Sequence, residues 1–253
     1  MYDFSVQKNM LNVSLELLEE NNIKDISALG GGTALASYYW NHRFSTDIDI
    51  FIYGNNLYKD LLRPNKWSKN IQDKMSQLGY KGDFKAQNIY LELALNESEK
   101  MQFFDVVPFT DIPYIEIELW NKSLKIETVE EIIAKKINFR CQKGNARDLF
   151  DIALSIHKKP DILDYMGRLK YKKIELLFET VSSIKHDKNL KDEYLYEINE
   201  MNPHQDFKEL SLITIDYLHD FLENYCGAHD MGHTLDSEDY IQIEEYVYIN
   251  LID

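Results

Sequence analysis

Between Ser5 and Glu20 apolar residues recur at spacings of three and four. Val6, Met10, Val13 and Leu17 form one stripe, widened by Leu11, Leu15 and Leu18, which predicts an amphipathic helix. A short apolar run over 26–29 follows and stops at three glycines, after which residues 33–40, rich in alanine and aromatics, read as a helix. The order is strand, glycine turn, helix. Over 47–53 the period drops to two: Ile48 and Ile50 fall on one face, and Asp47, Asp49 and Phe51 on the other. That is the pattern of a strand with carboxylates exposed at one end.

Residues 57–79 are helical in pattern with an interruption at Pro64, and Gly79 is a suitable stop. Strands at 89–95 and 101–107, joined by the polar turn 96–100, predict a hairpin, and 114–119 with 124–126 extend the sheet. Thr128-Val129-Glu130-Glu131 has the form of a capping box opening a helix to about Cys141. Gly144 ends that helix, and Asn145 caps the next, over 146–157. Beyond Pro160 the segments 172–185, 193–200 and 206–225 are helical in pattern, and no strand is expected before the last fifteen residues. The expected fold is α/β: a mixed β-sheet flanked by helices over residues 1–158, then a helical, acidic C-terminal domain over 159–253, with the junction near Lys158-Lys159-Pro160.

Charge sharpens this division. The net charge of -15 comes almost entirely from residues 186–253, which hold 3 basic and 17 acidic groups. The segment 122–147, by contrast, carries 7 basic residues against 3 acidic ones and suits an anionic ligand. The overall acidity argues against broad electrostatic attraction to nucleic acid. Two cysteines, Cys141 and Cys226, cannot form a disulfide framework. No apolar run approaches the length of a membrane span, and Met1-Tyr2-Asp3-Phe4 lacks the basic flank and apolar stretch of a signal peptide, so a cytoplasmic location is expected.

Three features stand in the order a phosphoryl-transfer site needs. A glycine turn leading into a helix N-terminus presents backbone N–H groups to phosphate and lets it approach closely. Asp47 and Asp49, at i and i+2 on a strand, project from one face and can share divalent cations. Asp105, in Phe103-Phe104-Asp105-Val106-Val107, supplies a third carboxylate if its strand neighbours theirs. Taken singly each has a plain structural explanation, a turn or a solvent-facing strand residue; their succession favours the chemistry.

Gly31-Gly32-Thr33-Ala34-Leu35, then His42-Arg43-Phe44-Ser45-Thr46-Asp47-Ile48-Asp49-Ile50-Phe51, then Lys136 and Ala146-Arg147-Asp148-Leu149-Phe150-Asp151-Ile152 together resemble the abortive-infection nucleotidyltransferase toxins. These are the AbiEii-like family, with the MenT-type toxins, in the DNA polymerase β-like superfamily. The resemblance covers roughly residues 25–157. It implies a nucleotidyltransferase-type sheet, with Asp47 and Asp49 as paired metal ligands and Asp105 as the third carboxylate. Gly31, Gly32 and Thr33 match the phosphate-binding turn, and Ser45 the serine of the S-x-D-x-D element. Lys136 matches a lysine that contacts nucleotide phosphates, with Lys135 as an adjacent rival, and Asp148 matches an acidic position of the family. The implied reaction is transfer of NMP from an NTP, with Mg²⁺ or Mn²⁺, to tRNA or another macromolecule, in a toxin that has a cognate antitoxin.

Rival readings remain beside this one. A small acceptor such as a cationic aminoglycoside would use the same carboxylates, with the acidic C-terminal region near it. An inactive fold serving as an interaction protein is a third, opposed by the retention of every carboxylate and the lysine. Cys226-Gly227-Ala228-His229-Asp230-Met231-Gly232-His233 invites a metal reading, but its two glycines favour a flexible linker. Neither a P-loop nor a G-x-S-x-G nucleophile elbow is present.

Overall fold

The computed structural model describes residues 2–54, 61, 63–87 and 90–252. The chain divides into two compact units, one of residues 1–108 and 112–128, the other of residues 109–111 and 129–253. The segments 129–140 and 146–158, grouped with the first domain by a junction near 158, thus belong to the second unit.

Among the described residues the first unit is built on seven strands: β1 (Ser27–Gly30), β2 (Ile48–Ile52), β3 (Phe84–Gln87), β4 (Tyr90–Ala94), β5 (Lys100–Asp105), β6 (Tyr114–Leu119) and β7 (Lys122–Glu127). They form one mixed sheet in the order β3-β4-β5-β2-β1-β7-β6. β2 runs parallel to β5 and β1 parallel to β7, and the remaining pairs are antiparallel. Alternation decides the faces. Ile48, Ile50 and Ile52 of β2, Met101 and Phe103 of β5, and Leu91 and Leu93 of β4 are buried together. Helix α1 (Ser5–Glu20), whose Met10, Leu11, Leu17 and Leu18 are almost fully enclosed, packs on β2 and on the later helix Lys69–Gln77. Each such side chain contributes about 1.5–3 kcal/mol of transfer free energy.

Between β1 and β2 runs helix α2 (Gly31–Ala34), which continues as a π-helical turn over Leu35–Trp40 and stops at Asn41 in the left-handed conformation. Helix α3 (Lys69–Gln77) is capped by Ser68, which accepts from the Ile71 N–H. Of the helix expected over 57–79, residues 57–60 and 62 lie outside the described residues, as does Ile89 at the start of an expected strand. β3 was not foreshadowed in the sequence: it is four residues long, and all four are exposed, so neither of its faces is buried.

The second unit is helical: α4 (Val129–Arg140), α5 (Ala146–Lys158), α6 (Tyr171–His186), α7 (Lys188–Met201), α8 (Lys208–Asp230) and α9 (Ser237–Ile252). Asn145 caps α5 as expected, accepting from the Arg147 and Asp148 N–H groups. The long α8 packs against α5, α6, α7 and α9, and its Tyr217 is fully buried with its hydroxyl 3.1 Å from Glu244 Oε1. Two expectations are corrected here. Of the segment 226–233, expected as a linker, Cys226 to Asp230 are the end of α8, and 231–233 lie in the connection to α9. Residues 239–252, where a strand was expected, belong to α9, with Tyr240 and Val247 facing inward and Ile241 and Ile249 outward at helical spacing. No helix among the described residues is long and apolar enough to cross a membrane.

Candidate active site

The glycine turn and the carboxylate strand lie side by side in the first unit. Gly30 pairs with Asp49 across the β1–β2 ladder. A Cβ built on Gly31, whose φ of +65° already favours glycine, would lie 2.0 Å from Asp49 Oδ2. One built on Gly32 would lie 2.4 Å from Arg43 Nη2 and 3.2 Å from Ser45 Oγ. Gly31 is therefore glycine by both backbone conformation and close approach, while a side chain at 32 would have to displace the end of Arg43; a carboxylate and a guanidinium lean on the bare backbone of the turn. Thr33, fully buried, donates its hydroxyl to the Asp47 carbonyl and ties the start of α2 to the approach of β2. The Gln7 amide donates to the Thr46 carbonyl from α1 at 3.1 Å. Asp47, Asp49, Gly31, Gly32, Thr33 and Ser45 are thus brought together.

Asp105 is not. In the parallel β2–β5 ladder Asp49 stands opposite Gln102, while Asp105 stands opposite Ile52, three positions further on. An odd shift on a strand turns the side chain to the other face, so Asp105 belongs to the side of Met101 and Phe103. The position beside Asp49 is held by Gln102. Beyond it comes Glu92 of β4, whose carboxylate accepts from Lys85 at 2.9 Å, from Gln102 Nε2 at 2.8 Å and from the Tyr90 hydroxyl. Burial raises the Glu92 carboxyl, but these hydrogen bonds outweigh it and hold it at about 2. For Tyr90, burial and the bond to Glu92 push the phenol well above its ordinary value, with the Asp49 charge adding to the rise. One register further along, Phe51 stacks on Phe104 at 5.0 Å, and Tyr90 lies against Phe104 at 5.1 Å.

On the opposite side of Gly30 the register brings Glu127, one residue beyond the Leu29–Ile126 pairing of β1 with β7. Glu127 is fully buried, and a Cβ on Gly30 would lie 2.2 Å from its Oε2. Its Oε1 accepts from the Tyr53 hydroxyl at 2.6 Å. Neither Arg43 nor Glu127 was assigned a role from sequence. Arg43 stood inside the recognised motif, two residues before Ser45. Glu127 is simply the last residue of a strand and carries no local signal.

In the second unit Lys136 of α4 meets α5. Its ammonium is 2.5 Å from Asp148 Oδ1 and 3.0 Å from Asp151 Oδ2, and Arg140, one turn on, adds a bond of 3.3 Å to Asp148 Oδ2. Spacings of four on α4 and three on α5 set these four side chains on facing helix surfaces. The lysine side chain is 7% exposed, and Asp151 is fully buried. Burial raises the Asp148 carboxyl, but the Lys136 and Arg140 charges outweigh it and hold it below the usual range. Lys135 points elsewhere, pairing with Glu131 at 3.1 Å. Glu131 also accepts from the Phe109 and Thr110 N–H groups and the Thr110 hydroxyl. The lysine joined to Asp148 is thus Lys136.

The family model for the AbiEii nucleotidyl transferase toxin of type IV toxin–antitoxin systems matches residues 16–210. No curated protein matches the chain in sequence. Among solved structures it is similar to JHP933 from Helicobacter pylori, at 16% identity, TM-score 0.45, covering 90% of this chain and 96% of that one. It is also similar to the lincosamide antibiotic adenylyltransferase LnuA in its lincomycin-bound form, at 17% identity, TM-score 0.37, covering 57% and 92%. A third is CdnG of Bradyrhizobium diazoefficiens in complex with GTP, at 9% identity, TM-score 0.29, covering 98% and 92%. With most of its length matched by the family model, the chain belongs to the AbiEii toxin family and is a nucleotidyltransferase.

Proposed function

We propose that this nucleotidyltransferase moves NMP from an NTP to a hydroxyl of tRNA or another macromolecule, with Mg²⁺ or Mn²⁺ as cofactor. The observation that carries the reading is the contact of Asp49 with the bare backbone of Gly31, which sets one carboxylate of the i, i+2 pair directly beside a turn able to take phosphate. The residues present fit a hard divalent cation: two carboxylates at i and i+2 are the usual protein share of such a site, substrate phosphates supplying the rest. Asp47 and Asp49 would hold the cations, whose charge when bound offsets that of the triphosphate and of the leaving pyrophosphate.

The chain's own residues supply the remainder. N–H groups of the Gly31–Gly32 turn bind phosphate oxygens, and the Arg43 guanidinium against Gly32 adds a positive charge there. Ser45, beside Gly32, donates a further hydrogen bond. The acceptor oxygen bonds to the α-phosphorus, the bond from that phosphorus to the bridging oxygen breaks, pyrophosphate leaves with the electron pair, and the hydroxyl proton passes to solvent. Lys136 is proposed as the phosphate-contacting lysine on the strength of the family resemblance, with Asp148 and Asp151 fixing its side chain. Use of NTP fits a cytoplasmic setting for this work, and the toxin family supports a cognate antitoxin as partner.

The acidic excess of residues 186–253 favours a second reading, a cationic small-molecule acceptor. One experiment separates the two: α-³²P-labelled NTPs are incubated with the protein and with total tRNA or a panel of aminoglycosides. Label on RNA that needs Asp47 supports the macromolecular acceptor. Label confined to an aminoglycoside replaces it with the second reading.

A further inference from the structure

We infer that Glu127 is a positioning residue that sets the distance between the glycine turn and the carboxylate strand. The inference rests on the proposed binding of NTP at that turn. Three contacts support it, each to a different part of the site. The backbone carbonyl of Glu127 accepts from the Tyr39 hydroxyl at 2.8 Å, and Tyr39 lies on the π-helical continuation of the helix that starts at Gly31. The carboxylate accepts from Tyr53, immediately beyond the end of β2. The same carboxylate occupies the space that a side chain on Gly30 would need, as does the edge of Phe51. One residue at the end of β7 therefore touches the strand before the turn, the helix after it and the residue that follows the strand bearing Asp49.

The chemistry explains why the arrangement is specific. A π-helical turn carries one more residue per hydrogen-bonded loop than an α-helix and so rotates the side chains that follow it. In this helix that rotation accompanies the reach of Tyr39 to β7. A buried carboxylate costs stability unless it is hydrogen-bonded, so its place against the least bulky position of β1 has to be accounted for. Holding Gly30 in place serves the reaction, because displacement of a reacting group by about 1 Å can cost about 100-fold in rate. Glu127 acts through Gly30, Tyr39 and Tyr53 and is given no contact with substrate.

The test is calorimetric binding of the α,β-methylene analogues of ATP, GTP, CTP and UTP with Mg²⁺, well below the melting temperature of each variant. Wild type is compared with Glu127→Ala, Glu127→Gln, Tyr39→Phe and Tyr53→Phe. A merely structural Glu127 would lower the melting temperature and leave nucleotide affinity alone. The expected result is a Kd raised by about tenfold or more in Glu127→Ala, Tyr39→Phe and Tyr53→Phe, the scale of one lost buried hydrogen bond. Glu127→Gln, which fills the same space and still accepts from Tyr53, should recover most of that loss. Tyr39→Phe removes a single oxygen and tests the backbone contact by itself, and Tyr53→Phe, which removes the donor to the carboxylate, keeps the test decisive if Glu127→Ala does not fold. Wild-type binding with an unchanged Kd in Tyr39→Phe, in Tyr53→Phe and in whichever Glu127 variants fold would overturn the positioning role alone. No binding of any analogue by wild type would overturn the nucleotide reading and this inference with it.

Discussion

Gly31 and Asp49 compete for one small volume: a methyl group on the glycine would lie 2.0 Å from the Asp49 carboxylate oxygen. Gly31→Ala should therefore displace Asp49 as well as incur the left-handed backbone cost of about 1–2 kcal/mol. Nucleotidyl transfer is expected to fall by about 100-fold or more, in line with the sensitivity of such reactions to small displacements, while circular dichroism stays native. Gly82, at φ +98°, has nothing within 4 Å of its added Cβ, so Gly82→Ala separates the two effects. It should lose stability of the same order and keep its activity. Equal losses of activity in both variants would show that backbone strain, and not the Asp49 contact, is responsible.

The two faces of the sheet give a second prediction. Asp49→Asn should abolish transfer, whereas Asp105→Asn should retain activity within about threefold, the usual range for a surface change remote from the chemistry. A large loss in kcat for Asp105→Asn would mean that the carboxylate reaches the reacting groups despite its register opposite Ile52.

Lys136 sits among Asp148 and the fully buried Asp151. Removing it takes the ammonium from beside the fully buried Asp151 while Asp148 keeps its bond from Arg140, and Lys136→Ala should lose about 3–5 kcal/mol in urea unfolding, as breaking a buried ion pair does. Lys135→Ala should lose only about 1–3 kcal/mol, because Glu131 keeps its bonds from Phe109 and Thr110. The reverse order of the two losses would contradict this account of the α4–α5 contact.

Acid should weaken the fold through identifiable groups. Glu92, held at about 2, and Asp148, held below its ordinary range, both have folded pKa values under the unfolded ones of about 4. Each favours the folded state above the unfolded pKa, and that contribution disappears as pH falls through the folded value. The melting temperature should decline from about pH 5 towards pH 2, and Glu92→Gln should flatten part of the decline. An unchanged slope in Glu92→Gln would assign the acid sensitivity elsewhere.

Local periodicity carried much of this fold. The alternation of residues 47–53 predicted β2 and its faces, and the three glycines predicted the turn before α2. What sequence could not supply was register. The distance along the chain makes Asp105 and Gln102 equally good neighbours for Asp49, and only the pairing of β2 with β5 chooses Gln102. Glu127 was hidden for the same reason, since a parallel β1–β7 pairing across almost one hundred residues brings it to Gly30. In the second unit the glycines at 227 and 232 suggested a break, yet Gly227 lies within α8, where packing outweighs a helix cost of about 1 kcal/mol. The lysine pair at 135–136 was ambiguous in sequence, and only the helix faces divide the two between Glu131 and Asp148.

The central claim, transfer of NMP, is tested most directly by where the label goes. The protein is incubated with Mg²⁺ and total tRNA and with each NTP labelled at either the α or the γ phosphorus, beside Asp47→Ala. The account predicts acceptor-bound label from the α position alone, equal release of pyrophosphate, and neither in the variant. Transfer of the γ label, or α-label transfer that survives Asp47→Ala, would contradict it.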